Sequence, residues 1–139
     1  MPTAREIMTS DVTCVGEKES LADAARKMAD LGVGSLPICG EDNRLKGMLT
    51  DRDIVVKALA KGMDPGSTTA GALAEGKPVT IGADDSLREV LQTMAKYQVR
   101  RLPVIDGHDL VGIIALADIA RNVDDESTGD LLEAISATA

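Results

Sequence analysis

The chain repeats itself. Thr3-Ala4, Gly16, Ser20-Leu21, Met28-Ala29, Val33 and Leu36-Pro37 recur 66 positions later as Thr69-Ala70, Gly82, Ser86-Leu87, Met94-Ala95, Val99 and Leu102-Pro103. Further on the offset becomes 65, pairing Leu45 with Leu110, Gly47 with Gly112, Asp53 with Asp118 and Ile54 with Ile119. The lost residue falls where "GEDNRL" faces "DGHDL", a turn, where a deletion costs least. Such self-similarity means one supersecondary unit built twice, so any fold for this chain must use the same elements in the same order in both halves.

Within each repeat the local signals follow one sequence. "VTCV" and "PVTI" are short β-branched runs that predict strands. Ser20 with Asp23, and Ser86 with Glu89, predict capped helix starts. The following helices show an apolar face at i, i+3, i+4, i+7: Leu21, Ala24, Ala25, Met28 and Leu87, Val90, Leu91, Met94. Met28 and Met94 hold matched positions on this face and read as core. Gly32 suits the end of the first helix, whereas the second has Gln98 there. Strands are predicted at "SLPIC" and "RLPVI", then a polar turn, with Asp106-Gly107 as a hairpin signal in the second repeat. A third strand, "LKGML" or "LVGII", leads into a last helix near Asp51 or Leu116.

Each repeat therefore reads as β-α-β-β-α, preceded by a short turn or helix at residues 3–8 and 69–75. The expected layout is a first motif at 1–62, a linker at 63–68, a second motif at 69–123 and a tail at 124–139. Asp64-Pro65-Gly66 marks the linker. One repeat alone has a small core. The predicted fold class is α/β (α+β), the two motifs packing sheet to sheet about a pseudo-two-fold axis. Only 1% of residues are aromatic, with one Tyr97 and no Phe or Trp, so that core must be aliphatic.

The tandem repeat, the "LPI" and "LPV" of the second strands and "GMLTDRD" leading into the last helix resemble a pair of CBS motifs, a Bateman module. The resemblance covers nearly all of residues 3–121. With "TCVGE", "LPICG" and "QVRRLPVI", the chain is most similar to small stand-alone CBS-pair proteins of actinobacteria, the type of the mycobacterial hypoxic response proteins. It implies a regulatory module that binds an adenine nucleotide (AMP, ADP, ATP or S-adenosylmethionine) in clefts shared between motifs, with no required cofactor. The Asp of T-x-x-D would take the ribose hydroxyls, and the Thr would help on the phosphate side. A carboxylate can accept two hydrogen bonds from a cis-diol, and a helix N-terminus favours phosphate.

Carried over residue by residue, the resemblance implies two unequal clefts. The first has Thr50 and Asp53, with Arg52 nearby, facing Pro78 and Val79 as an apolar wall for adenine, and Val99, Arg100, Arg101 and Pro103. Alternation along a strand sends only one of the two arginines inward. The second has Asp118, but Ala115 replaces the threonine and its opposite wall is Val33, Gly34 and Ser35, without arginine. This cleft is expected to bind a phosphate-bearing ligand poorly. Helix capping alone also accounts for Thr50 and Asp53, at about 1 kcal/mol.

Other function classes fare worse. A formal charge of -8 and the lack of aromatic stacking platforms argue against nucleic acid as the main ligand. No apolar run is long enough to span a membrane, and the N-terminus has no signal-peptide pattern, so a cytoplasmic protein is expected. No nucleophile–histidine pairing, metal cluster or glycine phosphate loop supports an enzyme. The lone His108 lies in a turn and is given no role. Cys14 and Cys39 suit no zinc site. They fall on strands that a β-α-β crossover can set side by side, so both a disulfide and two reduced thiols, the usual cytosolic state, are open. In the tail, Leu131, Leu132 and Ile135 have helical spacing. A homodimer with an unknown protein partner is expected from the resemblance. The alternative is a ligand-free dimeric stress or dormancy scaffold acting through protein contacts.

Overall fold

In the computed structural model, residues 2–74 and 77–122 are described, and they form two compact units. A central unit is Thr13–Pro78. A composite unit joins residues 2–12 to 79–122. The tail with Leu131, Leu132 and Ile135 lies outside the described residues.

The central unit contains β1 (Val15–Gly16), α2 (Leu21–Leu31), β2 (Ser35–Cys39), β3 (Leu45–Thr50) and α3 (Asp51–Asp53). The last helix continues as a π turn, Ile54–Ala58, and a 3-10 turn, Leu59–Lys61. The composite unit contains α1 (Ala4–Ile7), β4 (Ile81–Gly82), α4 (Leu87–Tyr97), β5 (Arg101–Asp106), β6 (Asp109–Ala115) and α5 (Leu116–Ala120). Each holds a three-stranded sheet, parallel between its first two strands and antiparallel between the last two. Both sheets carry a register shift at the same repeat position, Ile38/Cys39 and Val104/Ile105. The predicted element types hold, although β1 and β4 shrink to two residues at the ends of their β-branched runs.

Local chemistry explains the helix ends. The Ser20 and Ser86 hydroxyls accept from the N–H groups of Asp23 (3.1 Å) and Glu89 (3.3 Å). Gly32 ends α2 with φ 67°, the left-handed conformation glycine adopts without strain. Gln98 ends α4 the same way, at φ 55°. Its side-chain amide donates to the Ala95 carbonyl at 2.6 Å, satisfying one of the helix's terminal acceptors.

The cores are aliphatic and separate. Leu21, Met28, Ile38 and Leu49 anchor one; Val90, Met94, Leu102 and Ile114 anchor the other. Met28 and Met94 are both buried. Of the two states open for Cys14 and Cys39, the structure has the disulfide, with Cα atoms 5.8 Å apart.

The compact units do not coincide with the repeats. The Ala4 and Arg5 N–H groups donate to the carbonyls of Asp85 and Ala83, each at 2.9 Å. At the equivalent repeat positions, Ala70 and Gly71 donate to Glu19 (2.8 Å) and Glu17 (2.9 Å). The leading turn of each repeat thus completes the sheet layer of the other. Ala4 and Ile7 are buried in the composite core, and Ala70 and Leu73 in the central core. The predicted linker also belongs to the central unit, where the Thr68 and Pro65 carbonyls accept from Leu21 (2.9 Å) and Ala22 (3.0 Å).

Candidate functional site

The candidate site residues divide between the units. Thr50, Arg52, Asp53 and Pro78 lie in the central unit; Val79, Val99, Arg100, Arg101, Pro103 and Asp118 lie in the composite unit. At the end of β3, Thr50 turns from extended backbone into α3. Its hydroxyl accepts from the Asp53 N–H at 3.0 Å, and the Asp53 Oδ2 accepts from the Thr50 N–H at 3.0 Å. This reciprocal box holds the carboxylate at the positive end of the helix. Lys57 Nζ lies 3.2 Å from Asp53 Oδ1, and the Asp53 side chain stays 19% exposed. Arg52 is exposed, and its N–H donates to Asp51 Oδ1 at 2.8 Å.

Asp118 is held differently. Ala115 supplies no hydroxyl, so only half of the box forms: the Ala115 N–H donates to Asp118 Oδ2 at 2.8 Å. Arg121 Nη2 donates to Oδ1 at 2.6 Å, and the Thr9 hydroxyl also donates to Oδ1, at 3.4 Å. Thr9 comes from the N-terminal segment, which reaches β6 through paired bonds with Ile113 at 2.9 and 3.0 Å. Asp118 is 6% exposed. A Cβ on Gly112 would collide with the Met8 side chain and come within 2.9 Å of the Thr9 carbonyl, so glycine is what lets this segment lie flat on the strand.

Arg100 and Arg101 are both exposed at the start of β5. Arg101 pairs in register with Ala115, and the Arg100 carbonyl accepts from Leu116 at 3.1 Å. Pro103 is buried opposite Ile113, while Val79 and Val99 pack half-buried against the composite core. Pro78 is half-buried and His108 exposed.

Charged side chains that the pattern reading did not single out anchor the first strands. Glu19 accepts from the Gly16 N–H (2.8 Å) and from Lys27 Nζ (2.8 Å), and Lys27 also donates to the Cys14 carbonyl at 3.2 Å. The Lys27 bond, then the Gly16 bond, hold the Glu19 carboxyl below its ordinary range. Arg5 Nη2 meets Asp106 at 3.0 Å and its Nε meets Asp84 at 3.5 Å, raising the guanidinium further above its ordinary value, chiefly through Asp106. These contacts bridge distant sequence positions and leave no periodic signal. For Arg121 and Lys57 the available hint was spacing, since both sit three or four positions after a T/A-x-x-D aspartate; Thr9 offered no signal.

A duplicated β-α-β-β-α sheet unit with an aspartate three residues into each last helix defines a tandem CBS-domain protein. The CBS domain model matches residues 4–59 and 70–125, and the chain belongs to that family. It is 52% identical over 135 residues to hypoxic response protein 1 of Mycobacterium tuberculosis, spanning 97% of this chain and 94% of that one. The crystal structure of Hypoxic Response Protein I, described with two coordinated zinc ions, superposes with a TM-score of 0.84 at 54% identity. That match covers 88% of this chain and 100% of the other. The CBS domain pair of MJ0100, solved with 5'-methylthioadenosine and S-adenosyl-L-methionine, matches at TM-score 0.76 and 27% identity, over 87% of this chain and 94% of that one. No helix among the described residues is long and apolar enough to cross a membrane.

Proposed function

We propose that this protein is a stand-alone regulatory module that binds an adenine nucleotide through Asp53 and acts as a homodimer on a protein partner. Asp53 is the ribose ligand and Thr50 assists on the phosphate side. Arg100 or Arg101, with Arg52, supplies positive charge to the phosphate, and the half-buried Pro78, Val79 and Val99 form apolar surface for the base, whereas Pro103, expected beside them, is fully buried and offers none. The carrying observation is the state of Asp53. Its carboxylate is oriented by one backbone N–H and a lysine, is partly open, and retains acceptor capacity for a diol. The adenosine ligands of the MJ0100 pair support this ligand class. Asp118, by contrast, is buried under Arg121 and Thr9, so the proposed nucleotide site uses Asp53.

The described residues do not fit a zinc ion. Among them no group of three His, Cys, Asp or Glu side chains is arranged to hold a metal, and both cysteines are in the disulfide rather than available as thiolates. No zinc enters the proposal.

Thermal unfolding with AMP, ADP, ATP and S-adenosylmethionine tests the reading, with each variant compared to its own ligand-free baseline. A ligand at a hundred times its dissociation constant adds about 2.7 kcal/mol, several degrees in Tm. The shift should vanish in Asp53→Ala and survive in Asp118→Ala. No shift in wild type with any of the four would overturn nucleotide binding and favour the ligand-free scaffold.

A further inference from the structure

Lys57 stands one turn after Asp53, within the π turn Ile54–Ala58 of the central unit. Its Nζ lies 3.2 Å from Asp53 Oδ1, with the lysine side chain 35% exposed. A pair at this spacing ordinarily adds a little to helix stability and nothing else. Two observations set this one apart.

The first comes from the duplication. At the repeat position of Lys57 the second motif has Asn122. Its side-chain amide donates to the Asp118 main-chain carbonyl at 2.7 Å, not to the carboxylate. The motif therefore folds without a lysine at this place. In that motif Arg121 meets a carboxylate that is closed to solvent, whereas Lys57 sits beside one that is partly open.

The second is electrostatic. A carboxylate that takes the ribose diol also repels any negative charge carried by the same sugar. The 5' group of a ribose held on Asp53 lies one sugar ring away, inside the screening length of about 8 Å at physiological salt. Lys57 cancels the Asp53 charge over that distance and leaves the carboxylate acceptor sites for the diol.

We infer that Lys57 sets the charge selectivity of the Asp53 site. It admits adenine nucleotides with a negative 5' group and disfavours S-adenosylmethionine, which carries a sulfonium cation there. This rests on the nucleotide reading above and narrows its ligand class.

Isothermal titration calorimetry on the full chain with AMP, adenosine and S-adenosylmethionine tests the assignment, because the 5' group is then negative, neutral or positive. The wild type should bind them in that order of affinity. Lys57→Gln keeps a donor for Asp53 and removes the charge. It should weaken AMP about tenfold, leave adenosine within about twofold and tighten S-adenosylmethionine about threefold. Lys57→Arg should keep the wild-type ranking. Should Lys57→Gln misfold by circular dichroism, Lys57→Met with the same ligands takes its place. A uniform loss across the three ligands would overturn the charge role and leave Lys57 as a support for Asp53. An unchanged ranking in Lys57→Gln would overturn it too, as would a wild type that prefers S-adenosylmethionine. In each of these cases the adenosine-binding reading stands. A wild type that binds none of the three would remove that reading, and this inference with it.

Discussion

The two units share one motif but are closed by different chemistry. In the central unit a disulfide ties the approach to β1 to the end of β2, and Lys27 and Glu19 reinforce the same edge. The second repeat has Thr80 and Ile105 where the first has Cys14 and Cys39. There the N-terminal segment does the closing, through buried Ile7, the Arg5 ion pairs and the Thr9 hydroxyl on Asp118. The consequence reaches the candidate site. Where a covalent link closes the unit, the aspartate at the helix start caps its helix, pairs with Lys57 and keeps spare acceptor capacity. Where a polar segment closes it, the equivalent aspartate is part of the closure. Duplication thus preserved the elements while the two carboxylates took separate work.

Four perturbations test this contrast, from the largest expected effect down. Deleting residues 2–12 removes Ala4 and Ile7 from the composite core, and should destabilise that unit by about 4 kcal/mol. Hydrogen exchange should show the loss concentrated in β4, β5 and β6; an equal loss in the central unit would break the distinction. Next, Cys14→Ser with Cys39→Ser opens a loop with a sequence separation of 25, at about 3 kcal/mol by loop entropy. Denaturant unfolding with and without a reductant should show this loss in the wild type and no reductant effect in the double variant.

The third compares the aspartates directly. Asp118→Ala removes a buried acceptor of a backbone N–H, a guanidinium and a hydroxyl, and should cost about 2 kcal/mol. Asp53→Ala removes a partly buried cap partner and should cost about 1 kcal/mol. Equal losses in urea titrations would erase the asymmetry on which the assignment of Asp53 rests. The smallest effect is pH dependence from Glu19. Its folded carboxyl is held low by Lys27 and Gly16, so its contribution is complete above the unfolded glutamate range and is lost as pH falls through the folded value. Glu19→Gln should flatten the acid limb of the stability curve slightly, the ion pair being partly exposed and screened.

Element types and helix caps were legible because they depend on neighbours a few residues apart. Ser20, Ser86 and Thr50 are read from spacing alone, and β2 matches its predicted run, Ser35 to Cys39. Gln98 was not legible, because nothing but geometry tells a left-handed glutamine from a continuing helix. Asp53 and Asp118 look alike in the sequence beyond the Thr50/Ala115 difference; Arg121 and Thr9 separate them only after folding.

By itself, the sequence determined that this protein is one motif built twice, with an aliphatic core and a carboxylate at the start of each last helix. Periodicity, capping and duplication are local patterns along the chain. Only the tertiary structure decided which leading turn completes which sheet, whether Cys14 and Cys39 are joined, and which aspartate is already spent on internal bonds. Those outcomes depend on contacts between residues such as Thr9 and Asp118, a hundred and nine positions apart, where sequence spacing carries no geometry and packing alone selects the partner.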